Sequence, residues 1–138
     1  MTITIDDYSL RTMAFFKEKT KVSPLNCIVN KNSIIFLVDK GLVRKAIGHS
    51  ASNVKYLRTQ FKKDIKIFER GKNLDETISN FIYPIKLNSS KIHRRVLALL
   101  LVNPNDRRKL LGNGQSTLKQ LKEVINIYYQ NIRAIKLL

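Results

Sequence analysis

The spacing of apolar residues changes in a fixed order along the first half of the chain. Leu10, Met13 and Phe16 recur at helical spacing and predict a first helix. The runs NCIVN (26–30) and SIIFLV (33–38) are rich in β-branched and aromatic residues, and the polar NKN between them indicates a hairpin. The residues after 38 then predict, in order, a short helix in 41–47, a second helix from an N-cap at Ser52 and a last strand in 65–69.

The second half of the chain repeats this order of elements. The segments LDETISNFIY, PIKLN and RRVLALLLV predict a helix and two strands, and PNDRRKLL predicts a short helix that starts at a proline. A longer helix through Val124 and the strand IRAIKL (132–137) follow. The fold class is therefore α+β, with two α-β-β-α-α-β units that each pack a three-stranded sheet on helices. Because the join at 71–73 is short, we expect domains at 1–71 and 72–138 that pack closely.

An internal repeat supports the division into two units. Shifting the sequence by 64 residues places Gly48 on Gly112, and it places apolar on apolar and basic on basic positions around both glycines. Each glycine lies between a short and a longer predicted helix. A glycine there permits the positive φ that often ends a helix, and it also removes the side chain that would block an anion from the helix amides. A plain helix corner and a phosphate-binding turn both remain open at this point.

The charge of the chain favours the phosphate-binding alternative. Its 138 residues hold 26 Lys and Arg against 10 Asp and Glu, a formal net charge of +16. Such an excess usually persists because a polyanionic partner offsets it. Nucleic acid is the first candidate for this partner, and an anionic membrane surface is the second. The remaining interpretation is a charged surface that is only solvated and has no such partner.

Other features narrow the class of protein. The single cysteine, Cys27, excludes an intramolecular disulfide and sits in an apolar run typical of a buried thiol. The apolar run 96–102 is too short to span a bilayer, so we expect a cytoplasmic chain with no membrane contact. The sequence has no Walker loop, zinc pattern, Rossmann fingerprint or paired catalytic carboxylates. We therefore expect no enzymatic activity, no metal, no cofactor and no small-molecule substrate.

The order of elements and the sequence Ile-Gly-His-Ser-Ala between the two central helices resemble the type II KH domain. Two such units within this length resemble the archaeal form of the NusA transcription factors, over essentially the whole chain. This resemblance implies that the protein binds single-stranded RNA through Gly-x-x-Gly turns and acts in transcription elongation or termination. The chain departs from the motif at its last position, where Ala51 and Gln115 replace glycine.

The resemblance and the flanking charges together assign the RNA-binding residues. In the first unit these are Arg44, Lys45, Gly48, His49, Ser50, Ala51, Lys55 and Arg58. In the second unit they are Arg107, Arg108, Lys109, Gly112, Asn113, Gly114, Gln115, Lys119 and Lys122.

Three further points follow from the same residues. Helical spacing favours core packing over base stacking for Phe15 and Phe16. His93, beside Arg94 and Arg95, is expected on the surface. The altered fourth positions of both turns motivate an alternative function, in which the chain is an adaptor that docks on RNA polymerase or the ribosome and has weak or lost RNA binding.

Overall fold

In the computed structural model, residues 7–128 and 131–138 are described, apart from the side chains of residues 113–116 and 128. The chain divides into two compact units, one that ends at Arg70 and one that comprises Gly71–Leu138. Within the described ranges, no helix is both long enough and apolar enough to cross a bilayer.

The first unit has the predicted order of elements. These are α1 (Asp7–Thr20), β1 (Asn26–Val29), β2 (Ser33–Val38), α2 (Val43–Ile47), α3 (Ser52–Phe61) and β3 (Asp64–Glu69). Strand β2 is central: it pairs antiparallel with β1, as the NKN hairpin predicted, and parallel with β3. The parallel pairing requires a crossover connection, which α2 and α3 provide.

The core of the first unit lies between the helices and one face of this sheet. Phe16 from α1 stacks on Phe36 from β2, with ring centroids 4.2 Å apart. Ala46 from α2 and Leu57 from α3 are fully buried in the same cluster. Cys27 is a buried free thiol, so the predictions of core packing for Phe16 and of burial for Cys27 are confirmed.

The second unit has the same sheet topology. Its elements are α4 (Leu74–Ile82), β4 (Leu87–His93), β5 (Val96–Leu101), α5 (Arg107–Tyr128) and β6 (Ala134–Leu137), with a 3-10 turn at Pro104–Asp106. The central strand β5 pairs antiparallel with β4 and parallel with β6. The chain is therefore an α+β protein with two three-stranded mixed sheets packed on helices, as predicted.

The predicted strand PIKLN is largely wrong. Strand β4 begins only at Leu87 and continues through the polar residues that follow it to His93. Alternate side chains of this strand are exposed, which is ordinary for a sheet with one solvated face. Residues 89–93 lack the run of β-branched and aromatic residues that predicts a strand.

The two-helix prediction for the second unit is also wrong. A single helix, α5, runs through Gly112-Asn113-Gly114-Gln115, where the sequence predicted a turn, so this unit departs from the α-β-β-α-α-β order. The buried residues Leu110, Leu118, Leu121 and Val124 fall within about a third of the circumference of one continuous helix. Keeping these side chains on one face stabilises the helix by more than the roughly 2 kcal/mol that the two interior glycines, Gly112 and Gly114, cost together.

The internal repeat holds for the helices and slips by one residue in the strands. At a shift of 64, buried Ala46 and Leu57 correspond to buried Leu110 and Leu121. The same shift places buried Phe36 on Leu100, which is 40% exposed. Strands β2 and β5 correspond at a shift of 63 instead, and a slip of one residue exchanges the two faces of a strand.

Candidate nucleic-acid interface

The connection between α2 and α3 is a tight turn with an unusual backbone. Gly48 has φ 81° and ψ 167°, a conformation that residues with a side chain rarely adopt. Ser50 (φ 52°) and Ala51 (φ 60°) then lie in the left-handed region before α3 starts at Ser52. Three of four successive residues thus have positive φ, which reverses the chain in a very short space.

Hydrogen bonds across the turn fix its shape. The N–H of Ala51 donates to the carbonyl oxygen of Gly48 at 3.1 Å. The side-chain amide of Asn53 donates to the carbonyl oxygens of Lys45 (3.3 Å) and Ala46 (3.2 Å). These bonds satisfy the carbonyl end of α2, which has no helical partner, and hold α3 against it.

Gly48 is required by space as well as by its backbone angles. A Cβ atom at this position would lie 2.8 Å from Oγ of Ser52 and 2.9 Å from Cγ of Asn53. The glycine therefore allows α3 to begin directly against the end of α2. This accounts for the glycine as a structural residue.

Ala51 occupies a position that favours glycine. Its φ of 60° is a left-handed conformation, which for a residue with a Cβ costs about 1 kcal/mol. The turn nevertheless forms with alanine, because alanine is small and Asn53 and Gly48 determine the path on both sides. The substitution in the fourth position of the motif is therefore compatible with the turn, at some strain.

The start of α3 follows the turn directly, and the N–H of Ser52 donates to the carbonyl oxygen of His49 within it. The sequence predicted Ser52 as the N-cap, but Ala51 occupies that position and offers no side-chain acceptor, so that prediction is wrong. The first N–H groups of a helix have no partner within the helix and carry the positive end of its dipole. Without a capping side chain, the first-turn N–H groups beyond Ser52 depend on solvent or a bound anion.

Exposed basic side chains surround this turn. Between residues 41 and 63 the chain holds six Lys and Arg residues and no Asp or Glu. The residues predicted to bind RNA here that are exposed in the structure are Arg44, Lys45, His49, Ser50, Lys55 and Arg58. The structure thus brings the predicted residues of the first unit together on adjacent short elements, α2, the turn and α3.

The predicted residues of the second unit are arranged differently. Gly112 lies inside α5, with no positive φ, and a Cβ atom there would meet open space. Lys109 forms an ion pair with Asp106 at 3.2 Å, which offsets part of its charge. The side chains of Asn113 and Gln115, and the surroundings of Gly114, lie outside the described part of the structure.

Helix α5 still presents a basic face. Arg108, Lys119 and Lys122 lie within about 60° of one another around the helix axis, opposite its buried leucines. Arg108 and Lys119 are about 17 Å apart along the axis. Glu123 lies next to this face and offsets part of its positive charge; partial burial raises the pKa of its carboxyl. Arg107 is exposed but lies about 100° away from Arg108.

Relatives of the chain are found among archaeal proteins. The probable transcription termination protein NusA of Methanocaldococcus jannaschii is 28% identical over 116 residues, which cover 82% of this chain and 63% of that protein. The protein of the same description from Thermoplasma acidophilum is 21% identical over 136 residues, 96% of this chain and 94% of that one. No protein-family model matches the chain.

A solved structure shares the whole architecture. The crystal structure of APE1850 superposes on 97% of this chain and 100% of its own with a TM-score of 0.83, at 25% identity. Over most of its length the chain is therefore a homologue of archaeal proteins described as probable transcription termination protein NusA. The resemblance to the archaeal NusA proteins is confirmed.

Proposed function

We propose that this protein binds single-stranded RNA and acts in transcription elongation or termination. The observation that carries the proposal is the turn Gly48–Ala51, which places a glycine, two exposed residues and the N-terminal end of α3 amid exposed basic side chains. The description of its homologues as transcription termination proteins supports the biological role. The proposal includes no catalytic activity and no cofactor.

The physical basis of binding is the approach of the RNA backbone to the outside of the turn. Because the N–H groups of Ala51 and Ser52 are bonded within the turn, a phosphate would meet the positive end of the α3 dipole and the first-turn N–H groups beyond Ser52. Lys45, Lys55 and Arg58 add attraction that does not depend on base sequence and weakens with salt. We infer that the unit ending near residue 71 is a type II KH domain and that this turn is its RNA-binding element.

In the second unit, 72–138, the proposed contribution is electrostatic. Its sheet topology matches that of the first unit, so we infer a second KH domain whose turn is replaced by the continuous helix α5. Arg108, Lys119 and Lys122 then attract phosphates along the exposed face of the helix. Without a turn that exposes amides, we expect this unit to contribute less affinity than the first.

The experiment that tests the proposal changes charge in the turn while keeping its shape. The variant His49→Asp with Ser50→Asp adds two carboxylates at exposed positions, and His49→Asn with Ser50→Asn is its neutral, nearly isosteric control. Aspartate and asparagine both tolerate the left-handed backbone at residue 50. Binding of labelled single-stranded RNA to the full chain is measured by fluorescence anisotropy.

We expect the double Asp variant to bind at least about tenfold more weakly than the double Asn variant, because each carboxylate repels the phosphate. Circular dichroism spectra of the two variants should coincide. Equal affinities of the two variants would show that RNA does not contact this turn.

A second candidate function is an adaptor that docks on RNA polymerase or the ribosome with weak or lost RNA binding. The continuous helix α5, which lacks the second turn, and the strained Ala51 favour it. Under this alternative, the wild-type chain shows no RNA affinity at physiological salt but still co-purifies with RNA polymerase or ribosomes from its own cells. Useful RNA affinity with a steep salt dependence excludes it.

A further inference from the structure

The hairpin turn between β4 and β5 consists of two arginines in a strained backbone. His93 pairs with Val96, so Arg94 and Arg95 alone form the turn. Both have positive φ, 51° and 65°. Such two-residue turns strongly prefer Asn-Gly or Gly-Gly, because these residues tolerate the left-handed conformation. Two arginines therefore occupy this turn against the local backbone preference.

A third arginine joins the turn through the neighbouring chain segment. The N–H of Arg133 donates to the carbonyl oxygen of Arg95 at 2.8 Å, which places the two residues side by side. The Nε–H of Arg95 donates to the carbonyl oxygen of Asn131 at 2.9 Å, and that of Arg133 donates to the carbonyl oxygen of Arg94 at 3.3 Å. These two bonds orient the guanidinium groups of Arg95 and Arg133 through Nε. They do not use the terminal nitrogens of either group.

The surroundings of these arginines carry no negative charge along the chain. Residues 84–103 and 131–138 contain no Asp or Glu. All three arginines and His93 are exposed. On the open face of the sheet, Lys91 and Lys136 lie on either side of Ala98, which extends the positive charge along the strands.

We propose that Arg94, Arg95 and Arg133 bind phosphate groups of single-stranded RNA, as a second contact in the second unit. The inference rests on the proposed RNA-binding function of the chain. A guanidinium matches the geometry of a phosphate with two parallel hydrogen bonds, so three neighbouring guanidiniums, two of them oriented through Nε, favour a ligand with successive phosphates. Strained backbone tends to cluster at functional sites, and the positive φ of Arg94 and Arg95 fits a site at which these side chains are needed.

The test removes guanidinium groups without destabilising the turn that carries them. Arg94→Asn with Arg95→Gly removes two guanidiniums and introduces the Asn-Gly pair that this turn prefers, so the melting temperature should not fall. Lys72→Asn with Lys86→Asn removes two exposed charges elsewhere in the same unit and is the matched control. RNA binding to the full chain is measured by anisotropy over a series of salt concentrations.

We expect the turn variant to bind RNA about tenfold more weakly near 0.15 M salt, and its salt slope to be shallower by about 1.4, the value for two phosphate contacts on a single strand. Arg133→Ala should also weaken binding. The control variant should change the affinity by less than about twofold, because scattered surface charges are screened.

An unchanged affinity in the turn variant, or an equal loss in the control, overturns the proposal. In both cases the proposed function still holds if the wild-type chain binds RNA and the double Asp variant at His49 and Ser50 binds it more weakly. A wild-type chain without RNA affinity overturns both.

Discussion

Oγ of Ser52 lies so close to Gly48 that a Cβ atom on the glycine would stand 2.8 Å from it. Together with the φ of 81°, this contact shows that Gly48 is part of how α2 and α3 meet. The role of the turn in binding must therefore be tested at neighbouring positions that tolerate a side chain, such as His49 and Ser50.

Gly48→Ala should lower the free energy of unfolding by about 2 kcal/mol, because alanine is strained at this φ and ψ and also collides with Ser52. Urea denaturation followed by circular dichroism measures the change. A midpoint equal to that of the wild type would mean that the turn adopts another conformation.

Gly112→Ala should have the opposite effect. Gly112 is inside α5 with open space where the Cβ would lie, so alanine raises the free energy of unfolding by about 1 kcal/mol through its better helix propensity. The same denaturation experiment measures it. A loss of stability would indicate a turn at this position and would contradict the continuous helix.

Ala51→Gly should stabilise the protein by roughly 0.5 to 1 kcal/mol, because glycine adopts the left-handed conformation without strain but loses more entropy on folding. RNA affinity should not fall, since glycine leaves the outside of the turn open. Thermal and RNA titrations of this one variant check both statements. Destabilisation would show that Ala51 is not strained.

Asn53→Asp should destabilise the first unit by at least about 1 kcal/mol. The carboxylate keeps the shape of asparagine but has no N–H to donate to the carbonyl oxygens of Lys45 and Ala46, which it also repels. Chemical denaturation compares it with the wild type, and Asn53→Ser, which retains a donor, should lose less. If the aspartate and serine variants are equally stable, the side chain of Asn53 does not cap α2.

Patterns of apolar residues predicted the elements whose buried face is continuous. Strand β2 has exactly the predicted bounds because five of its six side chains are buried, and α3 shows the expected face around Leu57. Strand β4 was placed wrongly because its exposed face is polar and its inward residues are few. The spacing of apolar residues identifies a helix or strand only where most of its residues are buried and therefore apolar.

The candidate site was predicted in part for a similar reason. Gly48 was found because its neighbours combine a helix end with basic residues, but Gly112 has the same neighbours and lies in a helix. The difference arises from tertiary packing of the α5 face, which overrides a local preference of about 1 kcal/mol. The turn at Arg94–Arg95 carries no glycine or asparagine, so its positive φ values could not be read from the sequence.

The most direct measurement is a titration of the ¹⁵N-labelled chain with single-stranded RNA, followed by the chemical shifts of assigned backbone amides. The amides of Gly48–Ser52 should shift most in the first unit, because the phosphate backbone lies against this turn. Binding of RNA that leaves these amides unchanged would contradict the claim that this turn is the RNA-binding element.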